Sequence, residues 1–66
     1  MPVAKHSELT ASSKKGFEDA VRVGIVRAAK TLDNVSSAWI KDQSVVVKNG
    51  KIIEYRVNMK VTFLLK

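Results

Sequence analysis

The C-terminal thirty residues constrain the fold most strongly, because apolar and polar side chains alternate along them. Seven apolar side chains fall at every second position, namely Ile53, Tyr55, Val57, Met59, Val61, Phe63 and Leu65. Leu64 interrupts the alternation, because it is apolar at a position where a polar residue is expected. This spacing predicts a strand over residues 51–66 with one apolar face. Such a strand spans roughly 50 Å, whereas a twenty-residue helix lying on it covers only about 30 Å. Part of the apolar face therefore needs another subunit.

A tight turn joins this strand to the one before it. The sequence KNGK at residues 48–51 fits a type I′ turn, in which both central residues, Asn49 and Gly50, take positive φ. Residues 36–47 are predicted to form the preceding strand, so the two strands make one long β-hairpin.

The N-terminal half is predicted to contain a short strand and one amphipathic helix. Residues 3–9 alternate as a strand, residues 10–13 form a polar break, and Ser12 or Ser13 is suited to cap a helix over residues 14–32. The apolar stripe of this helix comprises Phe17, Ala20, Val21, Gly24, Ile25, Ala28 and Leu32. Glycine lowers helix stability by about 1 kcal/mol relative to alanine, so its place on the stripe predicts a close approach of helix and sheet.

These elements predict a single α+β domain over residues 1–66 with the order β-α-β-β. A helix that crosses back along the sheet places the first strand parallel to the second. The third strand then fits between them, which gives a three-stranded antiparallel sheet ordered 1-3-2 and packed on the helix. A core this small is commonly supported by oligomerisation.

Composition excludes several kinds of reactive site. The chain has no cysteine and one histidine, His6, which is interpreted as a surface strand residue. Disulfides, thiolate metal sites and nucleophilic triads are therefore excluded, and we predict a binding protein without catalytic residues, not an enzyme. An ion held at a symmetry axis by copies of Glu18, Asp19 or Asp33 stays open as an alternative.

The formal net charge of +6 would attract anionic ligands, lipid or nucleic acid in a general way. The basic residues are scattered, which favours a solvated surface over a nucleic-acid footprint. The sequence has no run of about eighteen apolar residues, and residues 1–5 do not lead into a signal-peptide core. We therefore expect no membrane span and a cytoplasmic location.

Five segments, in this order and spacing, resemble one protein family. They are LTASS at residues 9–13 followed by Phe17, AAKTLDNV at 28–35, DQ at 42–43, NGKI at 49–52 and YRVNMKVTF at 55–63. The chain resembles the dodecins, small β-α-β-β proteins that assemble into hollow dodecamers and commonly bind flavins. The resemblance covers nearly the whole chain.

The resemblance implies a homo-dodecameric shell with cubic symmetry, in which long strands and helices pack across two-fold and three-fold contacts. In flavin-binding dodecins, paired isoalloxazine rings lie between tryptophans of two subunits, and a glutamine on the third strand holds the polar edge of the ring. Stacking of this kind buries a flat ring and suits storage or protection.

The positions that matter for flavin differ in this chain. Ser37 corresponds to the family's stacking tryptophan, and Trp39 lies two residues further along, on the same face of a regular strand. Arg56 corresponds to the glutamine, and guanidinium offers only donors where glutamine offers a donor and an acceptor. Asp42 matches a carboxylate that contacts the ribityl chain in some dodecins. Ser44 and Leu64 replace arginines found in several bacterial members, so phosphate-binding functions tied to those arginines are not expected.

Three hypotheses of function follow. The first is flavin storage or sequestration, with FMN favoured over riboflavin by the positive charge and with weakened affinity; its ligand-binding residues are Trp39, Arg56, Ser37, Asp42 and Gln43. The second is a dodecameric shell that binds no flavin and holds another small ligand or an ion. The third and least favoured is nonspecific nucleic-acid binding.

The named residues also have alternative roles that stay open. Trp39 suits an interface, and Arg56 can pair with Glu54 or Asp42. Asp42 and Gln43 can form cross-strand pairs.

Overall fold

The computed structural model describes residues 3–65, which form one helix and three strands. The elements are β1 (Val3–Ser13), α1 (Phe17–Ala29), β2 (Val35–Lys48) and β3 (Lys51–Leu65). Lys66, which the sequence places at the end of the third strand, lies outside the described residues.

The sheet has the predicted order β1-β3-β2, and β3 is antiparallel to both neighbours. The α+β architecture with one helix against a three-stranded sheet is therefore confirmed. The molecule measures 51 × 19 × 14 Å, and its longest dimension matches the span expected for the third strand.

The core lies between α1 and one face of the sheet. Its buried members are Ala11 on β1, Ala20 and Ala28 on α1, and Val57, Met59 and Val61 on β3. The predicted stripe of α1 faces this core, since Ala20, Gly24 and Ala28 are its buried residues and the larger members of the stripe pack around them.

Gly24 marks the close approach that the sequence predicts. A β-carbon at this position would lie 2.8 Å from Met59 Cε, 3.0 Å from Ala11 Cβ and 3.2 Å from Leu9 Cδ1. These separations are shorter than ordinary van der Waals contacts between carbons. Glycine therefore lets the helix axis lie nearer to the sheet than any other residue would.

The first strand is longer than its sequence pattern indicates. The prediction that residues 10–13 form a polar break is wrong, because they continue the ladder with β3 from Thr10 opposite Asn58 to Ser13 opposite Tyr55. Ala11 enters the core on one face, while the hydroxyl groups of Thr10 and Ser12 belong to the other. Pairing with a distant strand thus overrides the local preference of serine and threonine for turns.

The helix is shorter than predicted at both ends. It starts at Phe17 with Gly16 as the N-cap residue, so capping by Ser12 or Ser13 is not observed. Ser13 instead accepts a hydrogen bond at Oγ from the backbone amide of Lys15 at 2.9 Å. After Ala29 the chain makes one further turn, in which the backbone amide of Leu32 donates a hydrogen bond to the carbonyl of Ala28.

The hairpin turn is confirmed by its backbone angles. Asn49 has φ of 53° and Gly50 has φ of 74°, as a type I′ turn requires. Side chains near this turn remain exposed, including Val45, Val47, Ile52 and Ile53. The 13-residue helix spans about 20 Å, less than half of the sheet, and does not reach this end.

Candidate ligand-binding face

The side of the sheet turned away from α1 carries a set of polar side chains and one tryptophan. We call this surface the open face. On β3 its residues alternate with the buried ones, and on β1 and β2 they pair with those β3 residues. They are Glu8, Thr10 and Ser12 on β1, Ser37, Trp39, Asp42 and Ser44 on β2, and Arg56, Asn58, Lys60 and Thr62 on β3. The open face is a candidate site because an exposed aromatic ring lies among hydrogen-bonding groups on a rigid sheet.

A β-bulge adds a residue to this face. The register shifts between Ile40, which pairs with Met59, and Asp42, which pairs with Asn58, so Lys41 is the extra residue. Its ammonium group reaches across β3 to Glu8 on β1. The bulge therefore directs two successive side chains, at positions 41 and 42, toward the open face.

Trp39 is the exposed aromatic side chain of this surface, with 62% of its area accessible. It lies opposite Lys60, whose Nζ is 5.4 Å from the centre of the indole ring. That distance is within the range of a cation–π interaction. One indole face is therefore occupied by an ammonium group, while most of the ring remains available for stacking.

A row of hydrogen bonds crosses all three strands beside the tryptophan. Thr10 Oγ1 donates to Asn58 Oδ1 at 2.6 Å, and Asn58 Nδ2 donates to Asp42 Oδ1 at 2.6 Å. Asn58 is thereby fixed in orientation by one partner on each side. The Asp42 carboxylate retains room for additional donors, because a carboxylate has about four lone-pair positions.

A second row places two ammonium groups around one carboxylate. Lys41 Nζ lies 3.2 Å from Glu8 Oε1, and Lys60 Nζ lies 3.9 Å from the same oxygen. We call Lys41 and Lys60 the lysine pair. Together with Glu8 it carries a net positive charge directly beside Trp39.

Arg56 lies on the open face, between Ser12 on β1 and Ser44 on β2. Its Nε donates to Glu54 Oε2 at 2.6 Å. It lies four positions before Lys60, so along the strand it is about 13 Å from the position opposite Trp39. Trp39 and Arg56 of one chain are therefore too far apart to hold opposite sides of the same small ring.

A shallow depression lies on the open face beside the hydrogen-bonded row. Its lining includes Glu8, Thr10, Lys41, Asp42 and Asn58, and its volume is about 190 Å³. Pockets that enclose a small ligand usually measure about 300–1,000 Å³. A ligand stacked on Trp39 would need a second surface to bury its other side.

Comparison with known proteins connects this geometry to a family. A sequence profile described as Dodecin matches residues 3–66. The chain belongs to the dodecin family. A dodecin of Thermus thermophilus is 31% identical over 64 residues, which cover 97% of this chain and 93% of that protein.

Solved dodecin structures are similar over the whole chain. A dodecin from Streptomyces davaonensis has a TM-score of 0.94 with 29% identity, covering 98% of this chain and 96% of that one. A point mutant of the Thermus thermophilus dodecin has a TM-score of 0.94 with 30% identity, covering 100% and 98% respectively. The resemblance that the sequence indicated is therefore confirmed.

The structure places four of the five site residues named from the sequence on one face of the sheet. Ser37, Trp39, Asp42 and Arg56 share the open face, with Ser37 opposite Thr62. Thr62 in turn is hydrogen-bonded to His6 Nδ1 at 2.9 Å. Gln43 does not join them, because it pairs with Val57 and so belongs to the helix side of the sheet.

Sequence reasoning did not single out Glu8, Lys41, Asn58 or Lys60 as site residues. The strand alternation alone places Asn58 and Lys60 on the same face as Arg56, so that signal was available. The same period places Lys41, two residues after Trp39, on the face of Trp39, whereas the bulge brings Asp42 to that face as well.

Within residues 3–65, no three His, Asp or Glu side chains gather as a metal site. None of the described helices is long and apolar enough to cross a membrane.

Proposed function

We propose that this protein is an oligomeric flavin-binding member of the dodecin family that stores or sequesters flavin without turning it over. The observation that carries the proposal is Trp39, a largely exposed indole held on a rigid sheet between a hydrogen-bonded row and a lysine pair. A flat isoalloxazine ring gains apolar contact and offset stacking on such a surface.

Assembly completes the site in this proposal. The depression on one chain is too small to enclose a flavin, and the chain leaves apolar side chains uncovered at the hairpin end. Dodecameric packing, which the family implies, supplies a second copy of Trp39 across a two-fold axis. The flavin then lies between surfaces of two subunits, and its ribityl hydroxyl groups donate to Asp42.

We expect weaker binding than in members that carry a tryptophan at position 37. Trp39 is displaced by two residues, about 6–7 Å along the strand, so its indole meets the flavin at a different position in the subunit interface. Arg56 pairs with Glu54 and offers no acceptor to the imide of a flavin. Ser37 contributes a small hydroxyl group where an aromatic ring would otherwise stack.

The alternative is a shell that binds no flavin. The contact of Lys60 with the indole favours it, because an ammonium group already occupies one face of Trp39. In this case the indole serves the subunit interface, and another small ligand or an ion occupies the assembly. A cytoplasmic location belongs to both proposals as an expectation from the sequence.

Titration of the purified oligomer with FMN and riboflavin, followed by flavin fluorescence, tests the proposal. We expect quenching at micromolar flavin or below, about −8 kcal/mol or better, because stacking on indole quenches the excited ring. Trp39→Ala should weaken binding by at least about tenfold, whereas Trp39→Phe, which keeps an aromatic face, should retain part of the affinity.

The control measurement is the mass of each variant by light scattering, which separates lost stacking from lost assembly. Full-sized oligomers that leave the fluorescence of both flavins unchanged would overturn flavin binding and favour the empty shell. Unchanged affinity in the Trp39→Ala variant would instead remove Trp39 from the site.

A further inference from the structure

Two lysines and one carboxylate form a charge cluster beside the proposed stacking surface. The lysine pair shares Glu8 Oε1 at 3.2 and 3.9 Å, and Lys60 also lies over the indole of Trp39. Neither Lys41 nor Lys60 is among the residues that the dodecin resemblance implies as flavin contacts. The cluster therefore needs an explanation of its own.

The pairing of the three strands concentrates this charge. Lys41 lies two residues after Trp39 and shares its face by regular alternation, and the bulge at Lys41 turns Asp42 to that face as well. From the open face, the ammonium group of Lys41 extends over β3 to a carboxylate on β1. Two like charges are thereby held near one oxygen, an arrangement that favours an anion between them.

We propose that the lysine pair binds the phosphate of a phosphorylated aromatic ligand stacked on Trp39, and that Glu8 occupies the pair until the phosphate replaces it. The inference rests on the proposed function and adds its specificity: FMN is selected over riboflavin by Lys41 and Lys60. Glu8 acts as a resident counter-charge of the empty site.

Replacement of Glu8 is feasible because its ion pairs are solvated. The side chains of Lys41 and Glu8 are 38% and 58% exposed, and that of Lys60 is 31% exposed. Exposed ion pairs contribute little to stability. A phosphate monoester carries a charge of about −1.5 to −2 at neutral pH and three acceptor oxygens, so it outcompetes a single carboxylate for two ammonium groups.

The neighbouring carboxylate sets the orientation of the ligand. Asp42 repels a phosphate but accepts from hydroxyl groups, and it is fixed by Asn58 in the adjacent row. The ribityl chain therefore lies toward Asp42 and the phosphate toward the lysine pair. When the ring stacks on the face that Lys60 covers, the ammonium group moves aside and remains within reach of the phosphate.

Affinities of FMN and riboflavin, measured in parallel at low salt, test this inference. We expect the protein to bind FMN about tenfold more tightly than riboflavin. Lys41→Met should reduce that ratio to near one by weakening FMN alone. Lys60→Met should also reduce the ratio to near one, although it changes riboflavin binding as well by uncovering one face of the indole. Glu8→Gln should tighten FMN about threefold and leave riboflavin unchanged, because the phosphate no longer displaces a competitor.

Matched variants keep the readout specific. Lys30→Met removes the same charge beyond the end of α1 and should preserve the FMN preference, as should Lys60→Arg, which retains the charge at the site. Inorganic phosphate should weaken FMN binding and leave riboflavin binding unaffected. Light scattering on each variant verifies the oligomer.

The outcomes separate the two proposals. Equal affinities for FMN and riboflavin in the parent protein, or an FMN preference that survives both methionine variants, would overturn the role of the lysine pair and leave flavin binding intact. If neither flavin binds, the proposed function fails and this specificity fails with it. If Lys30→Met weakens FMN binding as much as Lys60→Met does, the FMN preference comes from net charge and the local site is overturned.

Discussion

Asp19 connects the end of β1 to the first turn of α1. Its carboxylate accepts a hydrogen bond from Ser13 Oγ at 2.6 Å and pairs with Arg22 at 2.5 Å. The hydroxyl of Ser13 and, next, the guanidinium of Arg22 hold the pKa of Asp19 below its ordinary value of 3.8. Ser13 thus helps to place the helix although it is not the N-cap residue.

The lowered pKa gives a pH dependence of known sign. A carboxylate whose pKa is lower in the folded state stabilises the protein above the unfolded pKa, and the stabilisation is lost as the pH falls through the folded pKa. Asp19→Asn should therefore lower the unfolding temperature at neutral pH. The difference from the parent should shrink below pH 3.8 and vanish at lower pH.

Thermal unfolding between neutral and acidic pH, at constant protein concentration, measures this effect. Glu18→Gln is the control, because it removes a charge from the same helical turn without the bond to Ser13. A difference between Asp19→Asn and the parent that stays constant down to the most acidic pH would contradict the assignment.

At the scale of elements, the contact between α1 and the sheet is set by small residues. Ala20, Gly24 and Ala28 face the buried core side chains of β3, and Ala11 contributes the matching small residue on β1. Small side chains on both surfaces bring the backbones close together. The helix position along the sheet is therefore specified by size as well as by hydrophobicity.

Gly24→Ala tests this packing, since two effects of opposite sign compete. Alanine raises helix propensity by about 1 kcal/mol, but overpacking typically costs about 1–3 kcal/mol. The flexible end of Met59 can move, whereas Ala11 Cβ, 3.0 Å away, is fixed to the backbone of β1. We expect a net destabilisation of about 1 kcal/mol in urea unfolding.

Ala29→Gly measures the contribution of helix propensity to the free energy of unfolding, because Ala29 is exposed near the end of the same helix. It should cost at most about 1 kcal/mol. A Gly24→Ala variant more stable than the parent would mean that the helix and sheet separate easily, contrary to the tight contact described above.

At the scale of the whole molecule, the sheet is much longer than the helix that covers it. The exposed side chains near the hairpin turn include Ile53, with 44% of its surface accessible, and Val47, with 57%. Apolar side chains clustered at the end of a long sheet are typical of a surface buried by association. The dodecameric assembly implied by the family would cover them.

Ile53→Lys should therefore impair assembly, because it places a charge among apolar contacts. We expect light scattering to report species far smaller than the parent oligomer, approaching the 7.3 kDa chain at low concentration. Ile53→Leu conserves the apolar surface and should assemble normally. An Ile53→Lys variant of parental mass would show that the hairpin end does not take part in the interface.

The residue pattern alone predicted those features whose causes are local in the chain. The hairpin follows from side-chain alternation and from the positive φ values that Asn49 and Gly50 accept readily. The close approach at Gly24 follows from a glycine on an apolar helical stripe. The shared face of Ser37, Trp39 and Arg56 follows from the two-residue period of a strand.

Only the tertiary structure decided features that depend on pairing between distant strands. The ladder with β3 extends β1 through Ser13 and delays the start of α1 to Phe17, because long-range hydrogen bonds outweigh local turn preferences. The bulge at Lys41 is set by the register of β2 against β3. It turns Asp42 to the open face and Gln43 to the helix side, because inserting one residue in a strand reverses the facing of those that follow.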